Sequence, residues 1–345
     1  MNPFDYERAD DVSSAVALLA QRPDGAYLAG GTNLVDHLRL GVSSPGLLVD
    51  LNHLGLDAVE QTEAGGVRAG AMVRNSDLAA HPLVRQQYPV LTQALLAGAS
   101  GQLRNLATTG GNLLQRTRCV YFSDVTTPCN KRQPGSGCSA QGGYVRYHAI
   151  LGASQDCIAV HPSDMAVALT MLDAVVVIVG ADGTRRVPVT EFYRLPEGDP
   201  SRDTVLSHGD LITAVELPPL PAGLHSRYRK VRDRASYAFA LVSVAAALRV
   251  DDGLISDVRI ALGGVAHKPW RAVLAEQALI GSAATAAAFA AAADAELAAA
   301  RPLARTEFLD GNEFKVPMVR NTLVSVLTEL ATSAAAGNRA GGLST

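Results

Sequence analysis

The sequence predicts an α+β fold in two domains, and three observations carry that reading. Short apolar strands alternate with helical stretches up to about residue 217, joined by short connections. Three prolines and a glycine (Pro218, Pro219, Pro221, Gly223) then break the pattern. Beyond them come long strands with a turn signal between them, and helices last. The expected domains are therefore 1–220 and 224–332, with residues 333–345 as a frayed tail.

In order, the apolar positions of Asp10 to Ala20 fall at helical spacing, with Asp10 or Asp11 as cap. Tyr27 to Ala29 is a short strand ending in Gly30-Gly31-Thr32-Asn33, and Leu34 to Leu40 is helical. Strands follow at Leu47 to Leu51 and Gly66 to Ala71. Asn75-Ser76-Asp77 caps a short helix, and Val90 to Ala99 forms a longer one stopped by Gly98 and Gly101. From Gln115 to Gln155, within an insert over 115–157, the periodicity disappears into a segment rich in Arg, Cys, Pro, Gly and Ser, too long for an ordinary connection. Asp164 to Leu172 restores a helix and Ala174 to Gly180 a strand, with Asp182-Gly183 turning into Arg185 to Val189. Thr213 to Leu217 is the last strand before the prolines. After them come strands at Tyr228 to Val231, Phe239 to Val250 and Ile255 to Leu262, the last two joined by Asp251-Asp252-Gly253. Helices are expected at Ala272 to Leu279, Ser282 to Ala300 and Val316 to Leu330.

Bulk composition excludes several classes. A hydrophobic fraction of 48% with 18% charged residues describes a globular chain. A net charge of −3 and no long basic run leave no footprint for nucleic acid. The longest aliphatic run, Ala174 to Val179, cannot span a bilayer, so no membrane span is expected. The N-terminus is acidic and mixed where a secretory signal is basic and then apolar, so no address is expected in this chain.

Chemistry concentrates in two places. The turns Ala29-Gly30-Gly31-Thr32-Asn33 and Thr108-Thr109-Gly110-Gly111-Asn112 pair glycines with Thr and Asn. Such turns let the backbone approach a ligand, and successive N–H groups form a nest for an anion such as pyrophosphate. Each alone also reads as an ordinary tight turn; together they point to a dinucleotide site. Neither matches the Rossmann fingerprint or the P-loop.

All four cysteines lie in one stretch, Cys119-x9-Cys129-x8-Cys138-x18-Cys157, and the 118 residues before and 188 after it contain none. No Cys-x2-Cys pair exists, so neither a zinc ribbon nor a bacterial ferredoxin run is matched. Four thiolates still make a full ligand set for a 4Fe–4S cluster or a tetrahedral zinc. Isolated buried thiols, or a disulfide or two, fit the same spacing. Arg116, Arg118, Lys131 and Arg132 stand ready to stabilise thiolates. Asp164 reads as a helix cap or as a contact to a flavin, and Lys230 as part of a solvated basic strand face or as a cation near one. No catalytic triad, dyad or hydrolase elbow is visible.

These motifs resemble a known family. Ala29-Gly30-Gly31-Thr32-Asn33-Leu34 and Ala107-Thr108-Thr109-Gly110-Gly111-Asn112 are similar to the two FAD-binding loops of the flavoprotein (medium) subunits of molybdenum hydroxylases, the xanthine dehydrogenase family. Gln115 to Phe122, Pro128 to Arg132 and Pro134 to Cys138 resemble those of bacterial periplasmic aldehyde oxidoreductases, which carry a 4Fe–4S cluster besides FAD. The stretches Lys230 to Ser243 and Gly263 to Trp270 match as well, and the likeness runs from about Phe4 to Leu330.

The resemblance implies an FAD-binding N-terminal domain of PCMH type in two subdomains, then a small antiparallel sheet with helices. It implies FAD contacts from Leu28, Ala29, Gly30, Gly31, Thr32, Asn33 and Leu34 and from Thr108, Thr109, Gly111 and Asn112, with Asp164 and Lys230 near the flavin. It implies Cys119, Cys129, Cys138 and Cys157 as cluster ligands. It further implies a heterotrimer with a large molybdopterin-binding subunit and a small 2Fe–2S subunit, oxidising aldehydes and passing electrons through FAD to an external acceptor. The compartment it implies is the periplasm, by co-export with a signal-bearing partner; without one it is the cytoplasm. A stand-alone flavoprotein oxidoreductase and a zinc-stabilised scaffold subunit are the alternatives.

Overall fold

The computed structural model describes residues 1–305 and 309–341. Three sheets organise them. In the first, β1 (Asp5–Arg8), β2 (Gly25–Leu28) and β3 (Leu47–Asp50) run parallel in the order β1-β3-β2. The helices Val12–Ala20 and Leu34–Leu40 make the crossovers that parallel strands require. Asp11 caps the former, its carboxylate accepting the Ser14 N–H.

The second sheet is antiparallel throughout, in the order β4-β5-β8-β6-β7, from β4 (Val59–Gln61), β5 (Val67–Gly70), β6 (Val175–Gly180), β7 (Gly183–Pro188) and β8 (Leu211–Leu217). Central β8 is buried at every residue, and Pro188 is confined to edge strand β7, where its missing donor costs nothing. The third sheet, order β12-β11-β10-β9, joins β9 (His225–Val231), β10 (Val242–Asp251), β11 (Leu254–Gly263) and β12 (Trp270–Arg271).

This third sheet positions the site because both its faces are buried. Val244, Ala246 and Leu248 point into one core with the helices Val273–Leu279, Ala286–Leu297 and Lys315–Gly341. Ala245 and Ala247 point into another with the helices Pro89–Ala97 and Asp164–Met171. The period-2 alternation of a strand thus divides β10 between two cores. Its small residues on the second face let the helix Asp164–Met171 lie close. A Cβ on Gly263 would sit 2.6 Å from Val167 Cγ2.

Three expectations are corrected. The strand expected from Phe239 begins only at Val242, because 232–241 leave the sheet as a loop. The helix expected from Ser282 begins at Ala286, with Thr285 accepting the Ala288 N–H as its cap. The last helix runs on to Gly341, through Ala-rich sequence with no proline to stop it, where fraying was expected from 333; positions 342–345 of that tail lie outside the described residues. Among the described residues no helix is long and apolar enough to cross a membrane.

Candidate functional site

The two glycine turns meet. Strand β2 delivers the chain to Gly30 and Gly31, and Gly31 adopts φ +69°, a region open to glycine. A Cβ on Gly30 would fall 2.2 Å from the Leu106 carbonyl oxygen, so only glycine lets this turn press against the segment leading to Thr108. The Arg116 N–H, from the cysteine segment, donates to Asn33 Oδ1 at 2.9 Å and ties a third piece of chain to the junction.

The turns differ in what they offer. Among the described residues the N–H groups of Gly30, Gly31, Thr32 and Asn33 find no protein acceptor, which is the condition for an anion nest. In the second turn the donors are spent inward. Thr109 N–H goes to Val73 O (2.9 Å), Gly110 N–H to Ala71 O (2.8 Å) and Gly111 N–H to Thr108 Oγ1 (3.2 Å), which starts the short helix Thr109–Leu113. The second turn therefore supplies a closely approachable surface, and the expectation of two equivalent nests is corrected to one.

Both turns open on a cavity of about 1000 Å³, at the top of the range for small-molecule sites and roomy enough for a dinucleotide. At one side Ser163, not Asp164, caps the helix Asp164–Met171, accepting the Ala166 N–H at 2.9 Å and donating to Asn112 Oδ1 at 2.5 Å. Asp164 is thus free for another task. Its Oδ2 accepts from Lys230 Nζ at 2.7 Å, and its Oδ1 accepts from the Tyr228 hydroxyl. The Asp164 and Lys230 side chains are only 6% and 4% exposed, so this is a buried pair in the cavity wall. It spans the two halves of the chain. His161, packed 4.5 Å from Tyr193, also faces the cavity; burial lowers its pKa to about 4, so it is neutral at pH 7.

The cysteine segment forms the remaining wall. All four cysteines line one small void of about 10 Å³. Cys129 and Cys138 face each other across an antiparallel bridge, reached by a turn in which Gly135 (φ +82°) and Gly137 (φ +97°) supply left-handed backbone. Ser136 Oγ accepts the Cys129 N–H and Asn130 Oδ1 the Gly137 N–H, which hold that turn. Burial pushes the Cys119 thiol up to about 11 and Cys157 up to about 12, so without a cation the void favours protonated sulfur. His148 Nε2 lies 3.2 Å from Cys119 Sγ. Thr117 and Cys119 line both the void and the large cavity. Among the described residues no three His, Cys, Asp or Glu side chains converge to hold a metal ion.

The basic residues of this segment mostly serve the fold. Lys131 is 1% exposed and donates to Pro200 O (2.8 Å) and to Asp203, beside His267 Nε2. Arg116 also pairs with Asp203, at 2.9 Å. Although burial opposes it, the His267 hydrogen bond and these two cations hold the Asp203 carboxyl well below its ordinary range. Arg132 donates to the carbonyls of Tyr121, Phe122 and Thr127. Only Lys131 bears on a thiol, partly offsetting the rise at Cys157.

Of the residues singled out in the sequence, Ala29, Gly30, Gly31, Thr32, Asn33, Leu34, Thr108, Gly111, Asn112, Asp164 and Lys230 line the cavity. Leu28 and Thr109 stand behind the wall: Leu28 ends β2, and Thr109 is buried with its hydroxyl on Val73 O at 3.0 Å. Sequence reasoning missed His161, Asp233, Tyr237, Phe239 and Ser243, which also line it. They sit in loops or at strand ends, where no periodicity marks a facing direction.

The comparisons with known proteins agree with this geometry. The family model of the FAD binding domain in molybdopterin dehydrogenase matches residues 2–220, and that of the CO dehydrogenase flavoprotein C-terminal domain matches 226–330. The chain is 54% identical, over 95% of its length and 98% of the relative's, to the aldehyde oxidoreductase FAD-binding subunit PaoB of Escherichia coli. It is 31% identical to the glyceraldehyde dehydrogenase medium chain of Sulfolobus acidocaldarius, over 81% of each. Among solved structures, carbon monoxide dehydrogenase from Hydrogenophaga pseudoflava superposes with a TM-score of 0.75 at 27% identity, covering 96% of this chain and 98% of that one.

Proposed function

The chain belongs to the FAD-binding medium subunits of the molybdenum hydroxylases, and from that premise we propose that it is the FAD and 4Fe–4S subunit of a molybdenum-dependent aldehyde oxidoreductase. The observation that carries the FAD part is the cavity of about 1000 Å³ with an unengaged N–H nest at Gly30 to Asn33 on its wall. Those groups suit the diphosphate. Thr108, Gly111 and Asn112 give the closely approachable face, and Asp164 and Lys230 a fixed charge pair beside the ring system. When bound, FAD supplies the exchange between one-electron donors, here a partner's 2Fe–2S clusters, and an external acceptor. This chain's residues hold it, orient it and exclude water. No acid–base dyad is needed.

The cluster part is supported by the presence of all four cysteines in the lining of one void, in a segment that is otherwise irregular. Cys119, Cys129, Cys138 and Cys157 would be the cluster's ligands. A large molybdopterin-binding subunit and a small 2Fe–2S subunit complete the complex in this reading, and the 54% identical relative is named the FAD-binding subunit of an aldehyde oxidoreductase.

The test is anaerobic purification of the chain with its co-expressed neighbours, followed by visible and EPR spectra and metal analysis. Flavin near stoichiometry, four irons beyond those of the small subunit, and two co-purifying chains are the expected result. Flavin without the extra iron overturns the cluster; zinc without flavin overturns the redox reading; full activity of the isolated chain favours a stand-alone enzyme.

A further inference from the structure

The cysteine segment does more to the large cavity than border it. Arg118, the residue before Cys119, lines that cavity with its guanidinium 5.0 Å over the Phe239 ring. The Asp36 carboxylate, on the same cavity wall, acts on it through space without a salt bridge among the described residues, and its buried Nε has no hydrogen-bond partner. Its one polar contact is a long one, Nη2 to Gln115 Oε1 at 3.5 Å. A half-buried cation with an unused donor, in the cavity that the N–H groups of Gly30 to Asn33 also face, suits an anion.

A second feature closes the same side. Asp233, in the loop 232–241, accepts from Arg146 Nη2 at 2.6 Å on one oxygen and from the Tyr147 hydroxyl on the other. Arg146 and Tyr147 belong to the cysteine segment, and Asp233 and Tyr147 both line the cavity. The segment is thus fastened to the β9–β10 loop at residues that line the cavity. The next residue is pinned as well: Lys315 Nζ and Asn312 Nδ2 donate to the His148 carbonyl at 2.9 and 3.2 Å.

We propose that the cysteine segment is a clamp on the dinucleotide: Arg118 pairs with its diphosphate, the Asp233 clasp shuts the segment over it, and the metal-bound fold of the segment sets how tightly FAD is held. This rests on the FAD and cluster reading above and deepens it. Its chemical content is a linkage, in which a group bound at four cysteines stabilises the wall that a second ligand needs.

The experiment measures FAD affinity and release, by recovery of flavin fluorescence on dilution, in the full chain purified anaerobically with any partner chains that accompany it. Arg118→Met is expected to weaken FAD binding about tenfold to a hundredfold, with Arg118→Lys restoring part of it. Asp233→Ala, with iron content unchanged, is expected to speed release about threefold to tenfold. Cys138→Ser, at a residue that does not line the FAD cavity, is expected to lose iron and to speed release as well. Release at the wild-type rate in both Asp233→Ala and Cys138→Ser overturns the clamp, and unchanged affinity in Arg118→Met overturns its anion contact. A wild-type chain that binds no FAD overturns the underlying reading instead. One that binds FAD but no iron removes the cluster and leaves Arg118→Met and Asp233→Ala to decide.

Discussion

Replacing Lys230 by Met tests whether the cavity wall depends on its charge pair. Lys230 Nζ reaches Asp164 Oδ2 at 2.7 Å with both side chains at least 94% buried, so the methionine keeps the stem and strands a carboxylate. Breaking a buried pair from one side costs about 3–5 kcal/mol, against a net stability of about 5–15 kcal/mol for a typical fold. At about 2–4 °C per kcal/mol for domains of this size, melting should fall by roughly 6–20 °C. The Tyr228 hydroxyl, which still donates to Asp164, places the loss toward the lower end. Asp164→Asn should also destabilise, by leaving a buried ammonium. The double variant Asp164→Asn/Lys230→Met contains neither charge and should be more stable than either single. Thermal and urea unfolding of FAD-free protein, followed by the fluorescence of Trp270, reads all three. Strict additivity in the double variant, or a loss under about 1 kcal/mol in Lys230→Met, would refute the reasoning.

Gly30→Ala drives a methyl to 2.2 Å from the Leu106 carbonyl oxygen and should cost about 1–3 kcal/mol and weaken FAD binding, whereas Gly101→Ala, with nothing within 4 Å, should be neutral or stabilising; melting curves with and without FAD separate them. Ser163→Ala removes the cap of the helix Asp164–Met171 and the bond to Asn112, and a loss of about 1–2 kcal/mol in urea midpoint is expected. His161 gives a pH signature. Its folded pKa is lowered to about 4, so between the unfolded value near 6.5 and about 4 the unfolded chain binds a proton that the folded one refuses. Stability of FAD-free protein should therefore fall as pH drops through that window, and His161→Phe should flatten the slope by about 1.4 kcal/mol per pH unit; an unchanged slope counts against a neutral buried His161.

What was legible followed local rules. The turns Asp182-Gly183 and Asp251-Asp252-Gly253 were readable because a hairpin needs left-handed backbone, and Asp252 (φ +50°) and Gly253 (φ +81°) adopt it. The paired glycines announced a close approach, although not that Gly30 is required by Leu106, 76 residues away. Strand β1 escaped notice because Asp5-Tyr6-Glu7-Arg8 is exposed throughout and has no alternating apolar face; its partner β3 makes it a strand. Arg118, Asp233 and Phe239 were invisible as cavity residues for a related reason. Their roles come from loops meeting at the cavity, and no periodicity encodes such a meeting. Lys131 read as support for thiolates because its true partner, Asp203, lies 72 positions further on.

The cavity's walls come from residues near 30, near 110, around 161–164 and beyond 230, so none of them is complete until late in synthesis. At about 5–20 residues per second a ribosome needs about 10–40 seconds to go from the first glycine turn to the β9–β10 loop. During that interval the N-terminal sheets are already outside, with the helix Asp164–Met171 lacking the strand that covers it. The nascent chain cannot yet retain a dinucleotide, and loading is deferred until the wall residues up to Gly264 are in place. The apolar seam on that helix is then the first surface a chaperone or a protease meets, and the cofactor-free protein inherits the same weak line.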